Sequence, residues 1–303
     1  MEEYDLKVRI TIDIFSGRNN PVIELAGNDA RDAIDRLRPD KKIEKGDMGL
    51  PPAPTLGYRG LIIEQIEEPV KDLPDNFRFV HGDIFGTNLA QHAIDATFEE
   101  YVCGKEGLVT RIGLGTEFSV FVKKEIQRYR LIRTRWPWKG RIIWPPKNPC
   151  RCAPLYEPAW WNDGGQKQRF NNCYNYGTNY RSDTYAQPGR AAGSMYSDID
   201  CALVKAAAVK DALIDSPDAN NKCPPKGHLV ALVIAPSPDP NARDFHWYRK
   251  GRNGYWSHKP GGWPVTNVDN SGTTIRDPRQ ADRGMYTNFC TFMVVMHGHI
   301  KIQ

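Results

Sequence analysis

No apolar run in this chain approaches the roughly 18 to 20 residues needed to cross a bilayer as a helix. The opening, Met1-Glu2-Glu3-Tyr4-Asp5, is acidic and lacks the apolar core of a secretory leader. A cytoplasmic location is therefore the expectation, with export as an effector without a cleaved leader as the alternative. Cysteine is sparse and odd in number: Cys103, Cys150, Cys152, Cys173, Cys201, Cys223 and Cys290. An even disulfide framework of the kind that staples small secreted domains is missing, so reduced thiols are expected. A dominant charge is missing too, since 41 Lys and Arg against 36 Asp and Glu leave a formal +5. The densest basic run, Lys123 and Lys124 through Arg128, Arg130, Arg133, Arg135 and Lys139, comes with no nucleic-acid motif and reads as a solvated helix face.

Several chemistries lack their signatures. Cys150-Arg151-Cys152 has one residue, not two, between its thiols, and no second pair accompanies it, which argues against zinc. Gly113-Leu114-Gly115 lacks the third glycine of a dinucleotide fingerprint. Asp269-Asn270-Ser271-Gly272 lacks a full calcium ligand set and reads as a turn, and His297-Gly298-His299 reads as a frayed end. Neither a metal nor a cofactor is expected, and neither is a membrane or nucleic-acid partner.

What is present is a folded composition, 40% hydrophobic and 25% charged over 303 residues, enough for two domains. Val8, Ile10, Ile12 and Ile14 alternate as a strand with one buried face. Ser16 to Pro21 is a turn, and Val22 to Leu25 returns as the partner strand. Helices are predicted from Asn28 or Asp29, from Leu89 to Tyr101 and from Glu117 to Leu131. Strands are predicted at Leu61 to Ile63 and Phe77 to Ile84. Residues 1–133 thus read as an α+β domain. Residues 134–167, with Trp136, Trp138, Trp144, Trp160 and Trp161 among six prolines, read as an ordered strap packed on the C-terminal half. Residues 168–303 form a second domain. It has a helix over Asp198 to Ile214 capped by Ser197 or Asp198, a central strand at His228 to Ile234, and a hairpin of Asp244 to Arg249 with Tyr255 to His258. Phe292 to Met296 supplies its last strand.

This second half carries the chemistry. Asn171 and Asn172 are good helix caps, which places Cys173 in a first turn where the dipole favours a thiolate. His228 opens one strand and His246 lies in the next. A hairpin turn centred on Arg252 sets His246 opposite His258, whereas a two-residue Asn253-Gly254 turn sets Arg249 there instead, and the pattern alone leaves both registers open. One imidazole serves as general base, with another, or Asp269, holding its tautomer. Backbone N–H at Cys173, with Gln168 and Asn172, would form an oxyanion hole. Tyr174, Trp247, Arg249, Trp256 and Lys259 would line a substrate site, the two cations facing a carboxylate.

The order Cys173, Gly227-His228-Leu229-Val230-Ala231-Leu232-Val233, His246 resembles the compact papain-like superfamily, the NlpC/P60 and CHAP cysteine amidases. A second alignment makes His246 the base and His258 the third member. The resemblance implies a C-terminal papain-like domain with an antiparallel sheet. It also implies a thiol-dependent amidase or peptidase, working on a peptide or peptidoglycan-like amide through a Cys173 acyl-enzyme. Departures are the missing Asp-Cys-Ser or Cys-x-Trp pattern and the poor helix formers after Cys173. The run from Asp244 to Pro278, with Trp256-Ser257-His258-Lys259-Pro260-Gly261, also resembles a block in uncharacterised bacterial and shell-matrix proteins. The rival reading is accordingly a non-catalytic binding or matrix protein that uses the aromatic surfaces of the strap and hairpin.

Overall fold

A computed structural model describes residues 6–37, 55–66, 75–80, 83–85, 97–134 and 149–303. It contains helices and antiparallel sheets, an α+β chain that divides into two compact units.

The first unit is built on a sheet of β1 (Lys7–Asp13), β2 (Val22–Ala26), β3 (Gly60–Gln65), β4 (Asn76–Val80) and β5 (Asp83–Phe85), in the order β2-β1-β3-β4-β5. The period-two pattern works as predicted. Val8, Ile10 and Ile12 are fully buried, and β1 pairs β2 with Val8 opposite Leu25. Helix α1 (Gly27–Leu37) buries Ala30, Ala33, Ile34 and Leu37 on one face. Helices α2 (Thr97–Cys103), α3 (Leu108–Arg111) and α4 (Gly115–Thr134) come next, and α4 buries Phe118, Val122 and Ile126. At the end of β1 the buried Asp13 carboxylate accepts from Arg59 at 2.7 Å and Arg78 at 2.6 Å.

The second unit takes residues Phe15–Asn19 and 55–57 from the first half, together with the described chain from 149 onward. Its sheet runs β6 (Ile214–Asp215), β10 (Asn288–Val295), β7 (His228–Ala235), β8 (Asp244–Lys250), β9 (Trp256–His258), all antiparallel. Every residue of β7 and β8 is buried, so both sheet faces are covered. One face carries Val230, Leu232, Ile234, Phe245, Trp247 and Met293. It packs on α6 (Cys173–Thr178), which follows the short α5 (Gln166–Phe170), and on Val204 and Ala208 of α7 (Cys201–Lys210). The alternate residues of β8, namely Asp244, His246, Tyr248 and Lys250, point the other way.

Three expectations are corrected here. Helix α7 begins at Cys201 rather than near Asp198, because Asp200 supplies the cap by accepting from Leu203 N at 2.7 Å while Asp198 pairs with Arg243. The thiols are not all reduced: Cys150 pairs with Cys223 and Cys201 with Cys290, leaving Cys103, Cys152 and Cys173 free. The β8–β9 hairpin takes neither register considered. Gly251 and Tyr255 close a turn centred on Asn253, with Gly254 at φ +78°, so Tyr248 faces His258.

Of the strap, residues 135–148, including Trp136, Trp138 and Trp144, lie outside the described residues. From Cys150 the chain is held by Cys150 N to Arg252 O at 2.9 Å and Arg252 N to Pro154 O at 2.8 Å. Trp161 is buried against Tyr176, their ring centroids 5.1 Å apart. Trp160 is 58% exposed.

Candidate functional site

The capping prediction holds at Cys173. Asn172 caps α6, its side chain accepting from Tyr174 N at 3.0 Å and Asn175 N at 3.1 Å, and Asn175 Oδ1 accepts from Asn172 N in return. The helix lasts six residues and ends at Asn179, which adopts φ +56°. Packing overrides the poor propensity of Cys-Tyr-Asn-Tyr-Gly-Thr. All six residues are buried, and a Cβ on Gly177 would lie 3.1 Å from Trp247 Cβ.

The thiol itself sits in the apolar core beside Phe245 and Trp247, its sulfur 3.9 Å from Phe245 O. Burial, and then the nearby Asp244 charge, push its pKa well above the ordinary thiol range. A nucleophilic cysteine needs the opposite shift.

The histidines form internal bonds. His228 Nε2 lies 2.8 Å from Gly177 O, and a carbonyl only accepts, so Nε2 carries the proton. Burial lowers the pKa of His228 to about 3, and its ring stacks on His297 at 5.1 Å. His258 Nε2 donates to Val268 O at 3.0 Å, which leaves its Nδ1 to accept from His246 Nε2 at 2.9 Å. Although Tyr248 faces His258 in register, the diagonal reach along one face suffices for this contact. Burial lowers the pKa of His258 to about 4. Asp269 acts on His258 only through its charge. Its oxygens accept from Ser271 N, Ser271 Oγ, Thr273 N and Asp282 N at 2.6–3.0 Å and so shape the loop.

The expected oxyanion and substrate groups are likewise engaged. Asn172 Nδ2 donates to Gly17 O and Ala186 O, both at 2.8 Å. Gln168 is buried, its Oε1 accepting from Gly164 N at 3.3 Å and its carbonyl from Lys259 Nζ at 2.5 Å. Lys259 is fully buried and also donates to Gly261 O at 2.7 Å. Tyr174 donates its hydroxyl to Asp211 at 2.8 Å. Arg249 lies 3.8 Å over the Tyr176 ring and donates to Asn179 Oδ1 at 2.6 Å and Leu155 O at 3.2 Å. Its burial disfavours the charge, and the aromatic face and amide oxygens offset that cost. Trp247 and Trp256 are fully buried, the latter donating to Asn221 Oδ1 at 2.8 Å. The hairpin therefore offers no tryptophan surface for contact, contrary to expectation, because its indoles fill the interior.

Sequence reasoning missed Asp244 as an anchor. Its carboxylate accepts from Ser16 N at 2.6 Å, Arg18 N at 2.9 Å and the Tyr286 hydroxyl at 2.5 Å, with Gly17 N at 3.2 Å. A Cβ on Gly17 would lie 2.5 Å from Phe245, so only glycine admits this approach. The turn signal at Ser16–Pro21 marks the segment but does not name a partner 228 residues away. A shallow cleft in this unit is lined by Ile199, Ala202, Ile234, Pro236, Arg243 and Asn288, and none of the predicted site residues lines it. Among the described residues no group of three or more His, Cys, Asp or Glu is placed to hold a metal ion.

No family profile matches the chain, and no solved structure matches it. Over 146 residues, 48% of this chain and 91% of the relative, it is 43% identical to insoluble matrix shell protein 1 of Ruditapes philippinarum. That similarity overturns the papain-like assignment and, with it, the cysteine peptidase or amidase reading and the peptidoglycan-like substrate. It also corrects the cytoplasmic expectation, and the two disulfides agree, since such bonds persist in oxidising compartments.

Proposed function

The chain belongs to the family of insoluble matrix shell protein 1, and from that premise we propose that it is a non-catalytic structural constituent of an insoluble matrix outside the cell. The observation that carries the reading is the state of the buried polar groups in the second unit. Cys173 is held protonated by its surroundings, His228 and His258 are held neutral, and Asn172, Arg249 and Lys259 donate to main-chain or amide oxygens. Groups bonded in this way fix a unique core. To serve as acid, base or nucleophile they would first have to give those bonds up.

Two covalent loops reinforce the same unit, one joining the strap to the loop before β7 and one joining α7 to β10. Disulfides of this span stabilise by restricting the unfolded chain. Outward contact then falls to surface side chains. Of Trp160, Trp161, Trp247, Trp256 and Trp263, Trp160 is the one that is exposed, with Arg181 stacked 3.9 Å over its ring. We assign the strap's share of matrix contact to that pair.

The reading is tested by expressing the full chain behind a secretory leader and, separately, in the cytosol. The secreted form should recover both disulfides by peptide mapping and remain folded. A cytosolic form that is equally stable with all seven cysteines reduced would count against an extracellular role.

A further inference from the structure

Three cysteines, Cys150, Cys152 and Cys223, lie where the strap meets the loop before β7. Cys152 is exposed and free, and its Sγ donates to Pro225 O at 3.4 Å. That contact sets it beside the loop that carries Cys223, the partner of Cys150. The two residues of this disulfide differ in exposure: Cys223 is exposed, whereas Cys150 is only 3% exposed. The second disulfide is shielded, with Cys201 and Cys290 both partly buried. The other free thiols, Cys103 and Cys173, are fully buried. An exposed free cysteine and the exposed residue of a disulfide therefore lie beside one another. Arg151, Lys222 and Lys226, all exposed, flank them in sequence. Cations there favour the negative charge shared by the three sulfurs during exchange.

We propose that Cys152 of one copy links to Cys223 of a second copy by thiol–disulfide exchange. The Cys152 thiolate attacks Cys223 Sγ in line with the existing S–S bond. The Cys152–Cys223 bond forms, the Cys150–Cys223 bond breaks, and the electron pair leaves on Cys150 Sγ. That sulfur takes up a proton equivalent to the one Cys152 gave to solvent. One disulfide is consumed and one is made, so no oxidant is needed. The attacked copy keeps its own Cys152 and can attack a third. Donor and acceptor are different groups on each chain, so the linkage is head-to-tail and open-ended. Such growth supplies a covalent route to insolubility. It rests on the matrix reading for its purpose but not for its chemistry.

The test uses the pure full chain, incubated without oxygen at pH 8 and run on non-reducing gels, with thiols counted in denaturant. Wild type should give a ladder that collapses to monomer on reduction, an intermolecular Cys152–Cys223 peptide, and an unchanged thiol count. Cys152→Ser and the double variant Cys150→Ser/Cys223→Ser should each lose the ladder. The proposal is overturned by a ladder that persists in Cys152→Ser, or by wild type that stays monomeric. It is equally overturned by cross-links that are Cys152–Cys152, need oxygen and consume thiols. Since no matrix is present in this assay, its failure leaves the matrix reading standing. A chain that links in the tube yet never enters a matrix would fail the matrix reading instead.

Discussion

The carboxylate of Asp244 accepts the backbone N–H of Ser16 at 2.6 Å, so an acidic residue on β8 organises a turn that lies 228 residues earlier in the chain. With Gly17, Arg18 and Tyr286 also donating, both of its oxygens are engaged in the unit's interior. Asp244→Asn keeps the shape but turns an amide toward donors. We expect a loss of about 2–4 kcal/mol in urea unfolding of the full chain. A change under about 0.5 kcal/mol, the range of surface substitutions, would contradict the anchoring role.

The histidines set an acid limit. Burial lowers His228 to about 3 and His258 to about 4, from the usual 6.5. A base with a depressed folded pKa leaves the unfolded chain binding more protons. Its stabilisation is therefore complete above pH 6.5 and is lost as pH falls from there toward 4 and 3. By pH 5 the loss should be roughly 2 kcal/mol per histidine. Glu125, raised by burial to about 7, and Asp211 and Asp244, also raised by burial, work in the opposite direction over the same range, while the lowered Asp163, Asp198 and Asp277 act only at lower pH. The histidine share is therefore read against a variant: between pH 7 and 5 the urea midpoint of His258→Gln should fall less than that of wild type, and equal changes would show that this imidazole is not buried and neutral.

Thiol reactivity separates the two readings of Cys173. Iodoacetamide on the native chain should modify Cys152 first and leave Cys103 and Cys173 until the chain unfolds, because both are buried with raised pKa values. Fast, selective alkylation of Cys173 that depends on His246 would favour the nucleophile.

Removing the Cys201–Cys290 bond by a double serine substitution opens a loop of 89 residues. The expected cost is roughly 2–5 kcal/mol, read as a lower melting temperature for the second unit. An unchanged melting temperature would mean that the pairing does not persist in solution.

Much of the local structure was legible because local patterns set it. The alternation of Val8, Ile10 and Ile12 gave β1, the all-apolar run after His228 gave a central strand, and Asn172 gave the α6 cap. Each rests on neighbours within a few residues. What was not legible depends on distant groups. The cysteine pairings span 73 and 89 residues, and no spacing rule specifies them. The hairpin register was set by Asn253 Oδ1 accepting from Tyr255 N, which holds the turn between the two expected centres. The candidate site misled for a physical reason. A cysteine at a helix start and histidines on strands are also what a buried core uses, and only burial and bonding partners tell the two apart. Val268 O accepts a hydrogen bond from His258 Nε2, and a backbone carbonyl leaves no trace in side-chain pattern.

The most direct test of the account is to quantify the native chain by mass spectrometry in the insoluble extracellular matrix of its source tissue and in the soluble cell extract. Enrichment in the insoluble fraction, with release on reduction, is the predicted result. Recovery of the chain mainly as a soluble intracellular protein would contradict it.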